Sequence, residues 1–216
     1  MSEQQYMATV ATFDAAADAY LAHFKDYAPY QPSYDAFLAA LQPQQYSLLE
    51  VGCGPGQVSH YLLKRCPDLD IMGIDLAPNM IKLAKELNPN AQFVVMDARQ
   101  INDLKQRFDA IFCGFCLPYL NPADARQWLS DVSEKLHPNG LLYLSLTTGP
   151  SDQVIKQTSK RSAGAVYQYH HDLPELKQHL SKLGLKIQCI ETMPHTHHEQ
   201  SVTDVYLLAR QTAQSS

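Results

Sequence analysis

Long apolar runs and surplus positive charge are both missing from this sequence. No stretch of its 216 residues approaches the roughly 18 consecutive apolar positions of a membrane-spanning helix. Its start, Met1-Ser2-Glu3-Gln4-Gln5, lacks the basic-then-apolar order of a secretory leader. Lys and Arg number 17 against 22 Asp and Glu, a formal net charge of −5, which opposes unspecific adhesion to nucleic acid or anionic lipid. The five cysteines follow no regular framework, which argues for free thiols in a reducing compartment. No internal repeat and no second-domain boundary stands out. The hydrophobic fraction, 45%, is ordinary for a globular chain of this length. The expectation is one cytoplasmic domain, monomeric or homodimeric, with neither a membrane nor a nucleic acid as partner.

What is present centres on Leu48-Leu49-Glu50-Val51-Gly52-Cys53-Gly54-Pro55-Gly56-Gln57-Val58-Ser59. An apolar, β-leaning run from Tyr46 ends in Glu50-Val51, glycine then recurs at every second position, and helix-compatible residues follow. That order reads as a strand, a tight loop and a helix whose N-terminus faces a ligand. The glycines allow positive φ and let the backbone approach where a Cβ would clash. The dinucleotide fingerprint G-x-G-x-x-G is not met, because position 57 is Gln57.

Residues 7–26 carry Phe13, Ala17, Tyr20 and Phe24 at helical spacing and read as one amphipathic helix with an aromatic stripe. Pro29 and Pro32 interrupt the chain before a second helix from Ser33 to Leu41. From Tyr46 the elements alternate. Strands are expected at 46–51, 69–75, 91–96, 108–115 and 141–147, with helices at 58–66, at 77–87 and from Pro122 to the stop His137-Pro138-Asn139-Gly140. Strands apolar on both faces, alternating with helices, call for a doubly wound parallel sheet. Residues 149–168 are polar without a clean period and read as a loop or a loosely held helix. A helix follows over 172–183, with Asp172 as N-cap, Glu175 as its capping-box partner and Gly184 as the stop. Strands at 185–193 and 201–209 flank a His-rich turn. The single domain thus divides into an N-terminal helical cover (1–43), a core (44–148), a lid segment (149–171) and a C-terminal helix with β-hairpin (172–210).

Open parallel sheets bind ligands beyond the carboxyl ends of their strands, where strand order reverses. Four such ends carry Glu50 with the glycine loop, Asp75, Asp97-Ala98, and Cys113-Gly114-Phe115-Cys116. A carboxylate about 20 residues past the loop suits the paired hydroxyls of a ribose, and Asp75 sits there. The order E-x-G-x-G-x-G, Asp75, Asp97 resembles the class I S-adenosylmethionine-dependent methyltransferases over about residues 46–147.

The resemblance implies an α/β fold: a seven-stranded, mostly parallel, doubly wound sheet with helices on both faces, an antiparallel strand in the C-terminal hairpin and an N-terminal helical cover. It implies S-adenosylmethionine as cofactor, leaving as S-adenosylhomocysteine. The residues implied to hold it are Glu50, Gly52, Cys53, Gly54, Gly56, Asp75, Leu76, Met80, Asp97, Ala98, Gly114 and Phe115, with Tyr20 closing from above. In that scheme Asp75 takes the ribose, Leu76 and Met80 line the adenine, Asp97 accepts its amine, and the Ala98 amide faces a ring nitrogen. Glu50 holds the loop or the ligand's amino group, and Gly52 and the Gly114 region meet the methionine part.

The implied reaction is an in-line displacement at an activated methyl, for which the protein supplies alignment and a dry pocket. A base is needed only if the nucleophile arrives protonated. Tyr119, His170 and His171 are the candidates for base or substrate contact. His195, His197, His198 and Glu199 sit in a turn with no second ligand set at recognisable spacing, so no metal site is expected. Cys116 stands two residues before Pro118, unlike the Pro-Cys pair of cytosine-C5 methylases, and reads as a core thiol.

The run Phe115-Cys116-Leu117-Pro118-Tyr119 also lacks the Asn or Asp of amino-methylating nucleic-acid enzymes. A small-molecule acceptor is expected. It would be aromatic or amphipathic if Phe13, Tyr20, Phe24, Tyr167 and Tyr169 meet it, and a carboxylate if Lys156, Lys160 and Arg161 do. The alternatives are a nicotinamide-dependent oxidoreductase on a similar sheet and a non-catalytic member of the fold that binds a cofactor or a partner.

Overall fold

The structure, a computed structural model, describes residues 1–149, 154–158, 164–193 and 203–212. The turn carrying His195, His197, His198 and Glu199 lies outside the described residues, as do Lys160 and Arg161. Among the described residues, nine strands follow in chain order: β1 (Ser47–Val51), β2 (Asp70–Asp75), β3 (Gln92–Val95), β4 (Phe108–Gly114), β5 (Leu136–Thr148), β6 (Ile155–Thr158), β7 (Ala165–Gln168), β8 (Leu185–Thr192) and β9 (Thr203–Gln211). Seven of them form one sheet in the order β3-β2-β1-β4-β5-β9-β8, while β6 and β7 pair separately. Neighbours from β3 to β5 are parallel, and β9 runs antiparallel to both β5 and β8. Strand order reverses between β1 and β4, so the crevice that ligands favour opens there.

Alternation along the central strands divides the core. Leu49, Val51, Ile111, Leu142 and Leu144 face one side. There they meet Trp128, Leu129 and Val132 of α6 (Pro122–Lys135) and Leu176 and Leu180 of α7 (Leu173–Lys182). Leu48, Ala110, Phe112 and Tyr143 face the other, against Phe37 of α3 (Gln31–Ala40) and Val58 and Leu62 of α4 (Gln57–Arg65). The Phe112 and Tyr143 rings stack across β4 and β5 at 3.9 Å between centroids, and Phe37 meets Phe112 edge-on at 5.2 Å. Such pairs add about 0.5–1.5 kcal/mol beyond the area they bury. The doubly wound parallel sheet is what the sequence pattern called for, and its one antiparallel strand is what the resemblance implied.

The cover differs from the single helix expected over 7–26. α1 spans Glu3–Ala15 and α2 spans Ala17–Phe24, broken at Ala16 (φ −99°, ψ 5°). The start moves forward because Ser2 and Gln5 form a capping box, each side chain meeting the other's backbone N–H. Pro32 does not delay α3 to Ser33. It occupies the first turn, where its missing N–H costs nothing. β5 starts at Leu136 and passes through the expected stop, absorbing it as an irregularity opposite Phe108 and Ala110, with Asn139 at φ +64°.

The expected loop or helix at 149–168 instead contains the β6–β7 pair, laid on α1. Thr9 Oγ1 accepts the Tyr167 N–H at 2.9 Å, and the Thr12 hydroxyl reaches the Ala165 carbonyl at 3.0 Å. Pairing with a helix side chain is a tertiary effect that no local period announces. At α7, Asp172 accepts the Glu175 N–H at 2.8 Å as expected, whereas the Glu175 carboxylate pairs with Arg126 at 3.2 Å rather than returning to the cap.

Candidate functional site

The loop between β1 and α4 carries Gly52, Gly54 and Gly56 at φ +67°, +53° and +77°, all in the left-handed region. A Cβ on Gly52 would lie 2.8 Å from the Cβ of Cys116, so the loop and the end of β4 touch there. A Cβ on Gly54 would meet nothing closer than Gln57 Oε1 at 3.6 Å, which leaves its backbone bare towards the crevice. The Gly52 and Cys53 N–H groups donate to the Ile74 carbonyl at 2.9 and 3.0 Å, fastening the loop to β2.

At the end of β2, Asp75 receives the Gly54 N–H on Oδ2 and the Ala77 N–H on Oδ1, both at 2.9 Å. Each oxygen keeps a second lone pair for a ligand. Burial raises the Asp75 carboxyl above its ordinary value, opposed by these amides. Asp75, Gly52 and Gly54 share the wall of a cavity of about 760 Å³, counting its open mouth.

Leu76, Met80, Met96 and Ala98 make an apolar flank of this cavity, Gly114, Phe115 and Tyr119 line it at and just past the end of β4, and Tyr20 of α2 lines it as well. Phe115 sits at φ +54°, with its N–H held by the Ser145 carbonyl at 3.0 Å. Burial raises the Tyr119 phenol, which therefore stays protonated near neutral pH. α1 contributes Tyr6, Thr9, Val10 and Phe13. Of these only Phe13 stood out in the sequence. Their i, i+3, i+4, i+7 spacing, phased from the Ser2-x-x-Gln5 cap, is the signal that marks the whole face.

The other candidates lie outside the cavity wall. Glu50 is 2% exposed, and its carboxylate takes the Ser59 hydroxyl beneath the loop. Burial pushes its carboxyl up to about 8, with the Ser59 bond working against the shift. Cys53 packs behind the loop with Ile81, Ala84 and Phe93, and Gly56 gives α4 a close approach to Ala84.

Asp97 is engaged by its own neighbours. Arg99 Nε reaches its two oxygens at 3.1 and 3.0 Å, the Arg99 N–H donates at 2.8 Å, and the Tyr6 hydroxyl donates at 3.1 Å. Burial acts to raise the Asp97 carboxyl, but these donors hold it below its ordinary value.

His170 and His171 are both buried rather than turned to solvent. His171 Nε2 lies 3.0 Å from the Leu117 carbonyl, and burial lowers its pKa. Neither imidazole joins Tyr119 at the cavity; instead His171 ties the chain after β7 to the 3₁₀ turn Leu117–Tyr119. Among the described residues, no group of three or more His, Cys, Asp or Glu is placed to hold a metal ion, and no helix is long and apolar enough to cross a membrane.

Residues 48–140 match the family model described as a methyltransferase domain. Over 85 residues the chain is 36% identical to a putative methyltransferase, 235L, of Invertebrate iridescent virus 6, an overlap of 39% of this chain and 32% of that protein. Over 130 residues it is 25% identical to the demethylmenaquinone methyltransferase of Thermotoga maritima, 60% of this chain and 53% of the relative.

One solved structure that resembles it is the 1,6-didemethyltoxoflavin-N1-methyltransferase of Burkholderia thailandensis with bound 1,6-didemethyltoxoflavin and S-adenosylhomocysteine. It superposes with a TM-score of 0.69 at 19% identity, covering 98% of this chain and 91% of that one. The matched regions span about a third to a half of those two curated relatives' own length. The segment similar to a methyltransferase domain, residues 48–140, holds the glycine loop, Asp75 and Asp97, set on the parallel strands β1 to β4.

Proposed function

We propose that the protein transfers a methyl group from S-adenosylmethionine to an oxygen, nitrogen or carbon nucleophile of a small molecule. One observation carries the reading: the bare Gly54 backbone and the Asp75 carboxylate meet at one wall of a largely apolar cavity. The residues present suit that cofactor. Asp75, a carboxylate with a free lone pair on each oxygen, suits two adjacent ribose hydroxyls. Leu76 and Met80 offer a flat apolar face to an adenine, and the Ala98 amide a donor beside it. Gly52 and Gly54 leave room for the amino-acid end. Asp97 can serve an adenine amine only by sharing a carboxylate already held by Arg99 and Tyr6. Glu50 and Ser59 keep the loop in shape from below.

When bound, the cofactor supplies a methyl already activated on a sulfonium. The chain's share is orientation and the exclusion of water by α1, α2 and the Tyr119 turn. Titration calorimetry with S-adenosylmethionine, S-adenosylhomocysteine and NAD(H) tests the reading. Binding of the adenosyl compounds without NAD(H) is expected. Binding of NAD(H) alone overturns it, and binding of none of them favours a non-catalytic role.

A further inference from the structure

Six aromatic rings form an unbroken arc that leaves this cavity at Phe13 and Tyr20 and returns to it at Phe115. Phe13 meets Tyr20 at 6.1 Å, Tyr20 meets Phe24 at 4.5 Å, Phe24 meets Tyr27 at 5.4 Å, Tyr27 meets Tyr30 at 4.9 Å, and Tyr30 stacks on Phe115 at 5.2 Å with 28° between planes. Tyr119 joins from the far side, 5.2 Å from Phe13. All of these rings are partly exposed, unlike the fully buried Phe37, Phe112 and Tyr143 beneath them. Phe13 and Tyr20 pack on Ala17, Ala77 and Met80, and Tyr30 and Phe115 pack on the core of Phe112 and Tyr143, while each keeps part of its ring open. Aromatic faces left open at the mouth of a cavity attract other flat rings, which prefer offset or edge-on partners. Among the described residues, no Lys or Arg lines the cavity, and its one carboxylate is Asp75 on the cofactor side.

We propose that the acceptor is an uncharged, planar aromatic or heteroaromatic molecule, gripped by Phe13, Tyr20, Phe115 and Tyr119 and admitted past Phe24, Tyr27 and Tyr30. The inference rests on the methyltransferase reading. In the transfer the acceptor's lone pair forms the bond to the methyl carbon, while the carbon–sulfur bond breaks with its electron pair staying on sulfur. The titratable groups on the described cavity wall are Tyr6, Tyr20, Asp75, Cys116 and Tyr119. Burial holds the Tyr6 and Tyr119 phenols protonated, and the neighbouring Cys113 thiol together with burial does the same for Cys116. Asp75 stands on the cofactor side, held by the Gly54 and Ala77 amides. The nucleophile is therefore an atom that carries its lone pair at neutral pH, such as a ring nitrogen, and any proton it holds passes to water.

The test begins with calorimetric titration of S-adenosylhomocysteine, followed by ligand-observed NMR on the saturated protein. Its probes are quinoline, 6-hydroxyquinoline, quinoline-6-carboxylate and the aliphatic dicarboxylate glutarate. The two uncharged rings are expected to bind at least tenfold more tightly than either carboxylate. Tyr119→Leu should weaken ring binding about three- to tenfold and leave S-adenosylhomocysteine within about twofold, and Phe115→Leu should weaken ring binding to a similar degree. Tyr119→Phe keeps the ring and should keep the affinity, so its failure to do so would overturn the stacking argument even if a leucine variant folds poorly. Carboxylates that bind as tightly as the rings, or no ring binding by protein that does take up S-adenosylhomocysteine, would also overturn the proposal. Failure of S-adenosylhomocysteine itself to bind would fell the methyltransferase reading, and this one with it.

Discussion

Asp75 Oδ2 accepts the N–H of Gly54 at 2.9 Å, joining the end of β2 to the tip of the glycine loop 21 residues earlier. The bond fixes two parts of the cavity wall with one group. The left-handed turn at Gly54 aims its N–H at the carboxylate, and the carboxylate in turn is aimed into the cavity. Replacing Asp75 by Ala removes a charged acceptor and leaves that amide without it. A loss of about 1.5–3 kcal/mol in S-adenosylhomocysteine binding is expected, the scale of hydrogen bonds to a charged group. Calorimetry that finds unchanged affinity would show that Asp75 does not hold the ribose.

The glycine loop separates stability from binding. Gly52→Ala places a methyl at φ +67° and 2.8 Å from the Cys116 Cβ, so strain and overlap act together. About 2–4 kcal/mol of destabilisation is expected from left-handed backbone plus overpacking. Gly54→Ala meets only the backbone penalty, about 1–2 kcal/mol, because no atom crowds its Cβ. Its methyl would instead intrude on the ligand. Denaturant unfolding should rank Gly52→Ala as the less stable variant, while calorimetry shows Gly54→Ala losing S-adenosylhomocysteine affinity even where it is folded. Equal stability of the two would contradict the packing of Cys116 on the loop.

The sequence made this part of the site legible because its constraints are local. Glycines at alternate positions after an apolar strand, and acids at the ends of the next two, can be read without knowing what packs where. The cover could be read only in part. Residues 6, 9, 10 and 13 form one face only once α1 is phased from Ser2 and Gln5, and an ordinary hydrophobic period started at Met7 misplaces it. Beyond its pairing with β6, β7 is held by Thr9 and Thr12 of α1, more than 150 residues away. His170 and His171, polar in type and flanked by polar residues, gave no sign that β5 and the Leu117 carbonyl would bury them. Long-range pairing decided each of these.

Glu50 gives the fold a pH dependence of unusual sign for a carboxylate. Burial lifts its carboxyl from 4.5 to about 8 in the folded chain, so between those values the native state binds a proton that the unfolded chain has released. The stability from this group is complete below about pH 4.5 and drains away as pH rises towards 8. Glu50→Gln keeps a group able to bond Ser59 but cannot ionise. The difference in melting temperature, wild type minus variant, should therefore fall steadily between pH 5 and pH 8. The free-energy change is on the order of a few kcal/mol, since a tenfold change in proton affinity is worth about 1.4 kcal/mol. A difference that stays flat across that window would mean that Glu50 is charged in the folded protein.

Arg99 is the hinge between the cover and the core. Its guanidinium grips Asp97, reaches Glu3 on α1 at 2.9 and 3.0 Å, and lies 4.2 Å from the centre of the Tyr6 ring. The Glu3 arm is exposed and contributes little by itself. The Asp97 arm and the Tyr6 stack are half-buried and should dominate. Arg99→Ala would release α1 at its first turn while leaving the sheet core intact. Amide hydrogen exchange is expected to quicken several-fold across residues 3–15, with little change in β1, β4 and β5 and only a small shift in melting temperature, because local opening draws on a smaller free energy than global unfolding. The same variant frees the Asp97 carboxylate. If an adenine amine competes with Arg99 for it, affinity for S-adenosylhomocysteine should hold or rise despite the looser cover. A fall of tenfold or more would instead mean that the cover itself, latched by Arg99, supplies most of the grip on the cofactor.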